Sequence, residues 1–297
     1  HHDQDDDTLI PALPITRPIK MRERKRRIVE FCCSQDSRLG QKRFFDPKDC
    51  EVIRCTEKHD LTTPQGLEYA LSHLRYHDRP EVGSCLLWAS LPCTGGSPWQ
   101  HLNRRKPGGE QRIQKHIEVF DKLWVAFEKA AATCHSQGGS IAIEWPRGCS
   151  YWNLPKVRDL VTRLGLQSVD FDGCALGLST ETGVPMKKPW RVMTNDPDIY
   201  NAFEGRKCPG PPDHDTHQPV AGKHTKGTEA YTDQMVKLIH EAWRVASQKA
   251  QCEGSARTLK PTSVALDPAR PKHRYDDLHA ILSDCEHLNS LIPAMPT

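Results

Sequence analysis

Apolar and polar positions along the chain fall into blocks that predict alternating strands and helices. Short apolar runs bounded by turn residues indicate buried strands, whereas apolar residues spaced three and four apart indicate helices. Strands are predicted at 27–33, 50–56, 84–91, 140–146, 167–178 (ending in a turn) and 187–195. Helices are predicted at 63–77, 111–139, 154–166 and 232–250.

This alternation predicts an α/β fold with a largely parallel sheet that is covered by helices on both faces. The sheet and its helices would occupy 27–195. A small loop-rich subdomain with many His, Pro and Gly residues and a closing helix would follow over 196–250. We expect 1–26 to be a flexible acidic and basic arm, and 251–297 to be an extended or disordered tail.

Composition narrows the class of protein. The 297 residues are 37% hydrophobic and 27% charged, which suits a soluble globular protein. No run approaches the roughly 18 apolar residues of a membrane span, so we expect no membrane partner. Several of the 12 cysteines lie in apolar runs, which favours buried thiols over a disulfide scaffold. We therefore expect an intracellular protein, in the nucleus or the cytoplasm.

Basic residues cluster along the chain although the net charge is only +3. The clusters lie at 20–27, at Arg104 and Arg105, and at Lys187 and Lys188. Such clusters neutralise phosphates in proteins that bind nucleic acid. They also occur on ordinary solvated surfaces, so each cluster has two interpretations.

Candidate chemistry lies where predicted strands end, because parallel sheets bind ligands beyond the carboxyl ends of their strands. Cys93 follows Pro92 and precedes a glycine pair, at the end of an apolar run. A deprotonated thiol there would be a nucleophile. Glu144 ends the next predicted strand and could exchange protons with a substrate. Alternatively, Glu144 pairs with Arg147 or caps a helix.

The order of five motifs resembles that of the cytosine-C5 DNA methyltransferases. The motifs are "VEFCCSQDSRLG", "CEVIRCTEKHDLT", "ASLPCTGG", "IEWP" and "KKPWR", which together span about 27–195. The resemblance implies a Rossmann-like methyltransferase sheet that binds S-adenosylmethionine, and the 232–246 helix would match the closing motif of the family. The chain is also similar to algal, dinoflagellate-type sequences, some of them associated with mobile-element polyproteins.

The resemblance assigns roles to named residues. Cys93 would add to C6 of a cytosine, Glu144 would stabilise the activated ring near N3, and Arg147 and Arg191 would hold the base or its phosphate. The base would be flipped out or presented single-stranded. Contacts to the cofactor would come from Glu30, Phe31, Cys33, Ser34, Glu57 (near the ribose), Asp60 (near the adenine) and Pro92. Arg104, Arg105, Lys187 and Lys188 would contact nucleic acid.

The chain departs from the family pattern at two positions, and its base-recognition segment would be only 196–231, which is short. No glycine lies between Phe31 and Gly40, where the family carries a glycine-rich turn, and Trp145 stands in place of an Asn. Two further hypotheses therefore stand beside the enzyme. One is an inactive methyltransferase-like module that binds nucleic acid or assembles a mobile-element or nucleoprotein complex. The other is a methyltransferase for a small molecule or a protein, with Cys93 structural.

The predicted loop-rich subdomain holds a second group of candidate ligands. Cys208, His214, His217 and His224 could bind zinc in a tetrahedral site, or contact nucleic acid, or have no function. Trp99, Trp145, Trp152 and Trp190 could stack on a base or simply pack in the core. The 251–297 tail could bind a protein partner through a short amphipathic segment at 275–292.

Overall fold

The six apolar runs form the strands of one sheet in the computed structural model, which describes residues 24–212, 214, 216–220 and 227–258 (side chains up to 252). The chain divides into two compact units, His1–Gly254 and Ser255–Thr297, and the sheet belongs to the first. All six predicted strands are confirmed. They are β1 (Lys25–Cys33), β2 (Cys50–Thr56), β3 (Val82–Ala89), β4 (Ser140–Pro146), β5 (Gln167–Asp172) and β6 (Pro189–Thr194).

The four predicted helices are also present, together with two short helices that the apolar spacing did not predict. These six, all within the described residues, are α1 (Pro64–Leu74), α2 (Gln100–Asn103), α3 (Gly109–Ser136), α4 (Pro155–Arg163), α5 (Pro197–Phe203) and α6 (Asp233–Thr258). Helix α6 continues past 250, so the first residues of the predicted tail are helical. The 275–292 segment lies outside the described residues.

The sheet is mixed, in the order β2-β1-β3-β4-β6-β5. The pairs β1–β2, β1–β3 and β3–β4 are parallel, whereas β6 is antiparallel to both β4 and β5. The connection from β5 to β6 contains only a 3-10 turn at Gly173–Leu176 and an isolated bridge. Because the connection contains no helix that could cross over the sheet, β6 returns in the opposite direction.

Two apolar cores lie on opposite faces of the sheet. Along β3, Leu87 and Ala89 pack on one face and Leu86 and Trp88 on the other, as the two-residue period of a strand requires. The first core also contains buried residues of α1, α3 and α4, and the second contains buried residues of α5 and α6. Helices therefore cover both faces, and the fold is α/β and Rossmann-like.

The order of the strands reverses beside β1, where β2 lies on one side and β3 on the other. The backbone N–H of Ser90 donates to the carbonyl of Phe31 at 3.1 Å and ties the two strand ends together. In open α/β sheets, ligands bind in the crevice beyond the carboxyl ends at this type of reversal. The topology thus indicates where a ligand would bind.

The described cysteines are all free thiols. Cys55, Cys85 and Cys174 are buried, whereas Cys32 and Cys33 at the end of β1 are half-buried. In the described part of the chain, no helix is both long enough and apolar enough to cross a membrane.

Candidate active site

The start of the loop that carries Cys93 is fixed by two neighbouring strands. Ser90 is bonded to the end of β1, and the indole N–H of Trp145 on β4 donates to the carbonyl of Leu91 at 2.8 Å. Trp145 is buried, as are Trp152 and Trp190, so these three tryptophans pack in the core. The indole of Trp145 therefore positions the cysteine loop and does not stack on a base.

The glycine pair after Cys93 allows the loop to pack closely against the 149–151 segment. A methyl group on Gly96 would lie 2.8 Å from Cys149 Sγ and 2.8 Å from a ring carbon of Tyr151. A methyl group on Gly95 would overlap the Tyr151 hydroxyl. Both positions require glycine because real Cβ atoms do not approach other atoms so closely.

Two neighbours of Cys93 stabilise its thiolate. The Cys149 thiol donates to Cys93 and is the main cause that lowers the pKa of Cys93, and the ammonium of Lys188 lowers it further. Burial and the carboxylate of Glu144 oppose these effects, but the pKa of Cys93 remains below its usual value. The same hydrogen bond raises the pKa of Cys149. Cys93 therefore has the half-buried, activated environment of a reactive cysteine.

Glu144 is buried at the end of β4 and has one unused acceptor. Its Oε2 accepts from the Tyr231 hydroxyl at 3.0 Å, whereas Oε1 has no hydrogen-bond partner among the described residues. Burial raises the pKa of Glu144 to about 6, although Lys188 and hydrogen bonds from Tyr231 and Ser90 lower it. A buried polar atom without a partner costs free energy, so Oε1 is a candidate contact for a ligand.

Lys188 and Tyr231 complete this cluster. The ammonium of Lys188 donates to the Thr228 carbonyl at 2.6 Å, and burial lowers the pKa of Lys188, although Glu144 and Cys93 oppose this. The Tyr231 hydroxyl accepts from the Trp88 indole at 2.9 Å and is hydrogen-bonded to Ser90. The sequence predicted Lys188 only as a nucleic-acid contact.

Glu30 provides a second buried carboxyl group at the end of β1. Its Oε1 accepts from the Ser37 hydroxyl, whereas Oε2 has no described partner. Burial raises its pKa to about 7, although Ser37, Cys33 and Arg54 lower it. The thiol of Cys33 points back to the Glu30 carbonyl, with 3.6 Å between Sγ and O.

Cys32 supplies the turn that a glycine would normally supply. Its φ of 63° is left-handed, and the pairing of β1 is irregular at this position. The left-handed region costs a residue with a side chain about 1 kcal/mol, and such strain is concentrated at functional sites. The backbone therefore makes a tight turn at the strand reversal without a glycine.

The other predicted cofactor residues surround this turn. Phe31 is buried and packs edge-on against Phe127, with ring centroids 5.6 Å apart. Four further residues are exposed at the ends of β1, β2 and β3, namely Ser34, Glu57, Asp60 and Pro92. The buried Oε2 of Glu30 and the exposed carboxyl group of Glu57 are hydrogen-bond acceptors at this edge, suited to an ammonium group or hydroxyl groups of a ligand.

The residues predicted to bind nucleic acid differ in their exposure and in whether they already have an acidic partner. Arg191 binds Asp170 through two hydrogen bonds of 2.6 and 3.0 Å, which lower the pKa of that carboxyl group, so its guanidinium already has a partner. Arg147 and Lys187 are exposed. Arg104 is also exposed and forms a 3.4 Å ion pair with Glu110.

Downstream of Cys93, an exposed basic surface follows at 99–106. Trp99 is 51% exposed and Leu102 is 42% exposed, and Arg104, Arg105 and Lys106 are exposed beside them. A cavity of about 280 Å³ adjoins this surface and is lined by Thr94, Gln100, Asn103, Lys106, Arg112 and His116, whereas a cavity of about 470 Å³ lies elsewhere, at Arg38. The smaller cavity thus connects the cysteine loop to this basic surface.

The structure brings three of the four predicted metal ligands together. Cys208 Sγ lies 3.6 Å from His214 Nδ1 and 3.3 Å from His217 Nε2. Cys174, which the sequence analysis did not include, completes the group, and its ligand atom and the other three all lie within 4.8 Å of one another. His224 lies outside the described residues.

Comparison of the chain with protein-family models, with curated proteins and with solved structures found no match.

Proposed function

We propose that the protein is an S-adenosylmethionine-dependent cytosine-C5 methyltransferase that acts on nucleic acid through Cys93. The observation that carries the proposal is the meeting of Cys93, Glu144 and Lys188 at the carboxyl edge of the sheet. The order of the five motifs and the charges of this cluster both support the proposal. A nucleophile, a carboxyl group and a cation are together what addition to a cytosine ring requires.

Cys93 would act as the nucleophile. Its thiolate forms a bond to C6 of the base, which makes C5 electron-rich. C5 would then take the methyl group, and the sulfonium that carried it would leave as a neutral thioether. A water molecule would accept the C5 proton as the bond between sulfur and C6 breaks, which would restore the ring and the thiolate. The Cys149 thiol and the Lys188 ammonium support this chemistry because both stabilise the thiolate before attack and after release.

Glu144 would hold the edge of the base. With a pKa of about 6, its carboxyl group exchanges a proton readily near neutral pH, which suits a group that stabilises the ring at N3. The unused Oε1 is the acceptor for this contact, and Tyr231 fixes the other oxygen. The tyrosine thus orients the carboxyl group and leaves one oxygen for the substrate.

S-adenosylmethionine, when bound, would supply the methyl group. Its site would be the crevice at the strand reversal, where the left-handed turn at Cys32 brings the backbone of β1 close to a ligand. Glu30 would bind it through Oε2, and Glu57 at the end of β2 would bind its ribose.

The exposed surface at 99–106 would bind the nucleic-acid strand. Trp99 offers a face on which a base can stack, and Arg104, Arg105 and Lys106 can neutralise phosphates. The surface directly follows the Cys93 loop in the chain, so a strand bound there would lie near the nucleophile. Lys187, which is exposed and adjoins Lys188 in the chain, would add a further positive charge.

Methyl transfer from labelled S-adenosylmethionine to single-stranded and duplex DNA and RNA tests the proposal. We expect transfer by the wild-type chain and none by Cys93→Ser. Cys252→Ser is the matched control, because Cys252 is exposed and outside the cluster, and it should retain full activity. Equal transfer by Cys93→Ser, or no transfer by a folded wild-type chain to any of the four substrates, would contradict the proposal.

One observation favours a second candidate, a methyltransferase-like module that binds nucleic acid without catalysis. Glu144 is buried and the Tyr231 hydroxyl already engages one of its carboxylate oxygens, so only Oε1 is open to a base. Calorimetric titration with S-adenosylmethionine separates the two candidates. Binding that Glu30→Ala abolishes supports the enzyme, whereas nucleic-acid binding without any binding of S-adenosylmethionine supports the module.

A further inference from the structure

The Cys/His group beyond β5 joins two separate parts of the chain. Cys174 lies in the 3-10 turn Gly173–Leu176 directly after β5 and is buried. Cys208, His214 and His217 lie in the segment that follows α5, and all three are half-buried. One ligand therefore comes from the edge of the sheet, and three come from a loop that packs against it.

The distances within this group match those of a tetrahedral zinc site. Zinc lies about 2.3 Å from cysteine sulfur and about 2.0–2.1 Å from histidine nitrogen, which places a sulfur and a nitrogen ligand about 3.5 Å apart. The two sulfur–nitrogen distances at Cys208 are 3.6 and 3.3 Å. The four ligand atoms all lie within 4.8 Å of one another, so one ion can reach all of them.

The loop has few other means of stabilisation. Among the described residues between Phe203 and Tyr231, no apolar side chain is fully buried. The backbone is instead held by polar contacts, such as the Cys208 N–H donating to Asp172 Oδ2 at 3.0 Å and the Gln218 N–H donating to the Pro185 carbonyl. A segment without its own apolar core commonly depends on a metal ion or a disulfide.

We propose that Cys174, Cys208, His214 and His217 bind one Zn²⁺ in a closed structural site. Two thiolates and two imidazoles in a tetrahedron select zinc over magnesium, calcium and manganese, which prefer oxygen ligands. Four protein ligands leave no open position for a substrate, so the ion stabilises the fold and performs no chemistry. This inference is independent of the proposed methyltransferase activity.

The site also supports the candidate active site. The segment that leaves the zinc ligands leads on to Thr228, which accepts from Lys188, and to Tyr231, which donates to Glu144. Zinc would therefore fix the start of the segment that delivers these two contacts. Removal of the ion should loosen them without altering the Cys93 loop itself.

Elemental analysis and cobalt substitution of the full chain test the proposal. We expect about one zinc per purified chain, and cobalt in its place should show the visible bands of a tetrahedral site with thiolate charge transfer. Cys208→Ser should lose the zinc. Cys174→His should retain a tetrahedral cobalt spectrum with about half the thiolate charge transfer, because histidine replaces one of two sulfur ligands.

Cys252→Ser is the control and should bind zinc as the wild type does, since this cysteine is exposed and outside the group. A folded wild-type chain that takes up no zinc when zinc is supplied would overturn the proposal. An octahedral cobalt spectrum, or charge transfer unchanged in Cys174→His, would overturn it as well. The wild-type cobalt spectrum decides the matter even if a variant does not fold.

Discussion

Burial of Glu144 makes the stability of the protein depend on pH in a way that a single substitution should remove. The carboxyl group has a pKa of about 6 in the fold against a usual value of 4.5, chiefly because it is buried. The folded state therefore holds a proton that the unfolded state has already released at intermediate pH. Stability contributed by this group is full below the unfolded pKa and falls as pH rises through the folded pKa.

The expected magnitude follows from the shift. A difference of about 1.5 pKa units corresponds to about 2 kcal/mol between acidic and neutral solution. The glutamine of Glu144→Gln does not ionise, so the free energy of unfolding of this variant does not fall with pH for this reason. We predict that the stability of the variant relative to wild type becomes about 2 kcal/mol more favourable between about pH 4 and pH 7.5.

Urea unfolding of both proteins across this pH range measures the difference directly. The contributions of groups that titrate identically in both proteins cancel in the difference between their free energies of unfolding. Any effect of the glutamine amide that does not depend on pH shifts this difference equally at every pH. Glu68→Gln is a control of opposite sign, because the hydrogen bond from Arg75 lowers the pKa of the Glu68 carboxyl group, so this variant should become less favourable relative to wild type as pH rises. A difference for Glu144→Gln that stays constant, or that favours wild type as pH rises, would refute the reasoning.

Three further substitutions test other contacts of the site. Tyr231→Phe should lower the free energy of unfolding by about 2–4 kcal/mol in urea titrations, because it leaves the buried Trp88 indole N–H and Glu144 Oε2 without this partner. Tyr200→Phe removes only an exposed hydrogen bond and should cost little. Gly96→Ala should lower the free energy of unfolding by about 1–3 kcal/mol, because the added methyl group overlaps Cys149 and Tyr151. Gly227→Ala has open space around it and should not lower it. Equal costs for the two variants would contradict the packing argument. Trp99→Ala should weaken single-strand binding by about 1–3 kcal/mol in fluorescence anisotropy without changing stability, and unchanged affinity would exclude stacking there.

The local structure of the fold could be predicted from the sequence. Apolar runs indicate burial directly, and they located all six strands. They carry no information on strand direction, so the reversal of β6 was not predicted. Helix α5 was also missed, although Asp196 accepts from the N–H groups of Asp198 and Ile199 and Pro197 follows it, which is a typical helix start.

The candidate site could be predicted only where its residues end strands. Cys93 and Glu144 were found because both follow apolar runs, and parallel neighbours bring strand ends together. Tyr231 is 87 residues from Glu144 in the chain, and its contact arises from the packing of the segment before α6. Cys174 was missed as a metal ligand for the same reason, because it lies far from Cys208 in the sequence and beside it in the fold.

Covalent capture of Cys93 by an oligonucleotide that contains 5-fluorocytosine tests the proposed function most directly. Fluorine at C5 cannot leave as a proton does, so the bond between sulfur and C6 persists after methyl transfer and can be located by mass spectrometry. In the presence of S-adenosylmethionine we expect an adduct at Cys93 in the wild type and in Cys252→Ser, and none in Cys93→Ser. An adduct at another cysteine, or a folded chain that binds the oligonucleotide and forms no adduct, would contradict the assignment of Cys93 as the nucleophile.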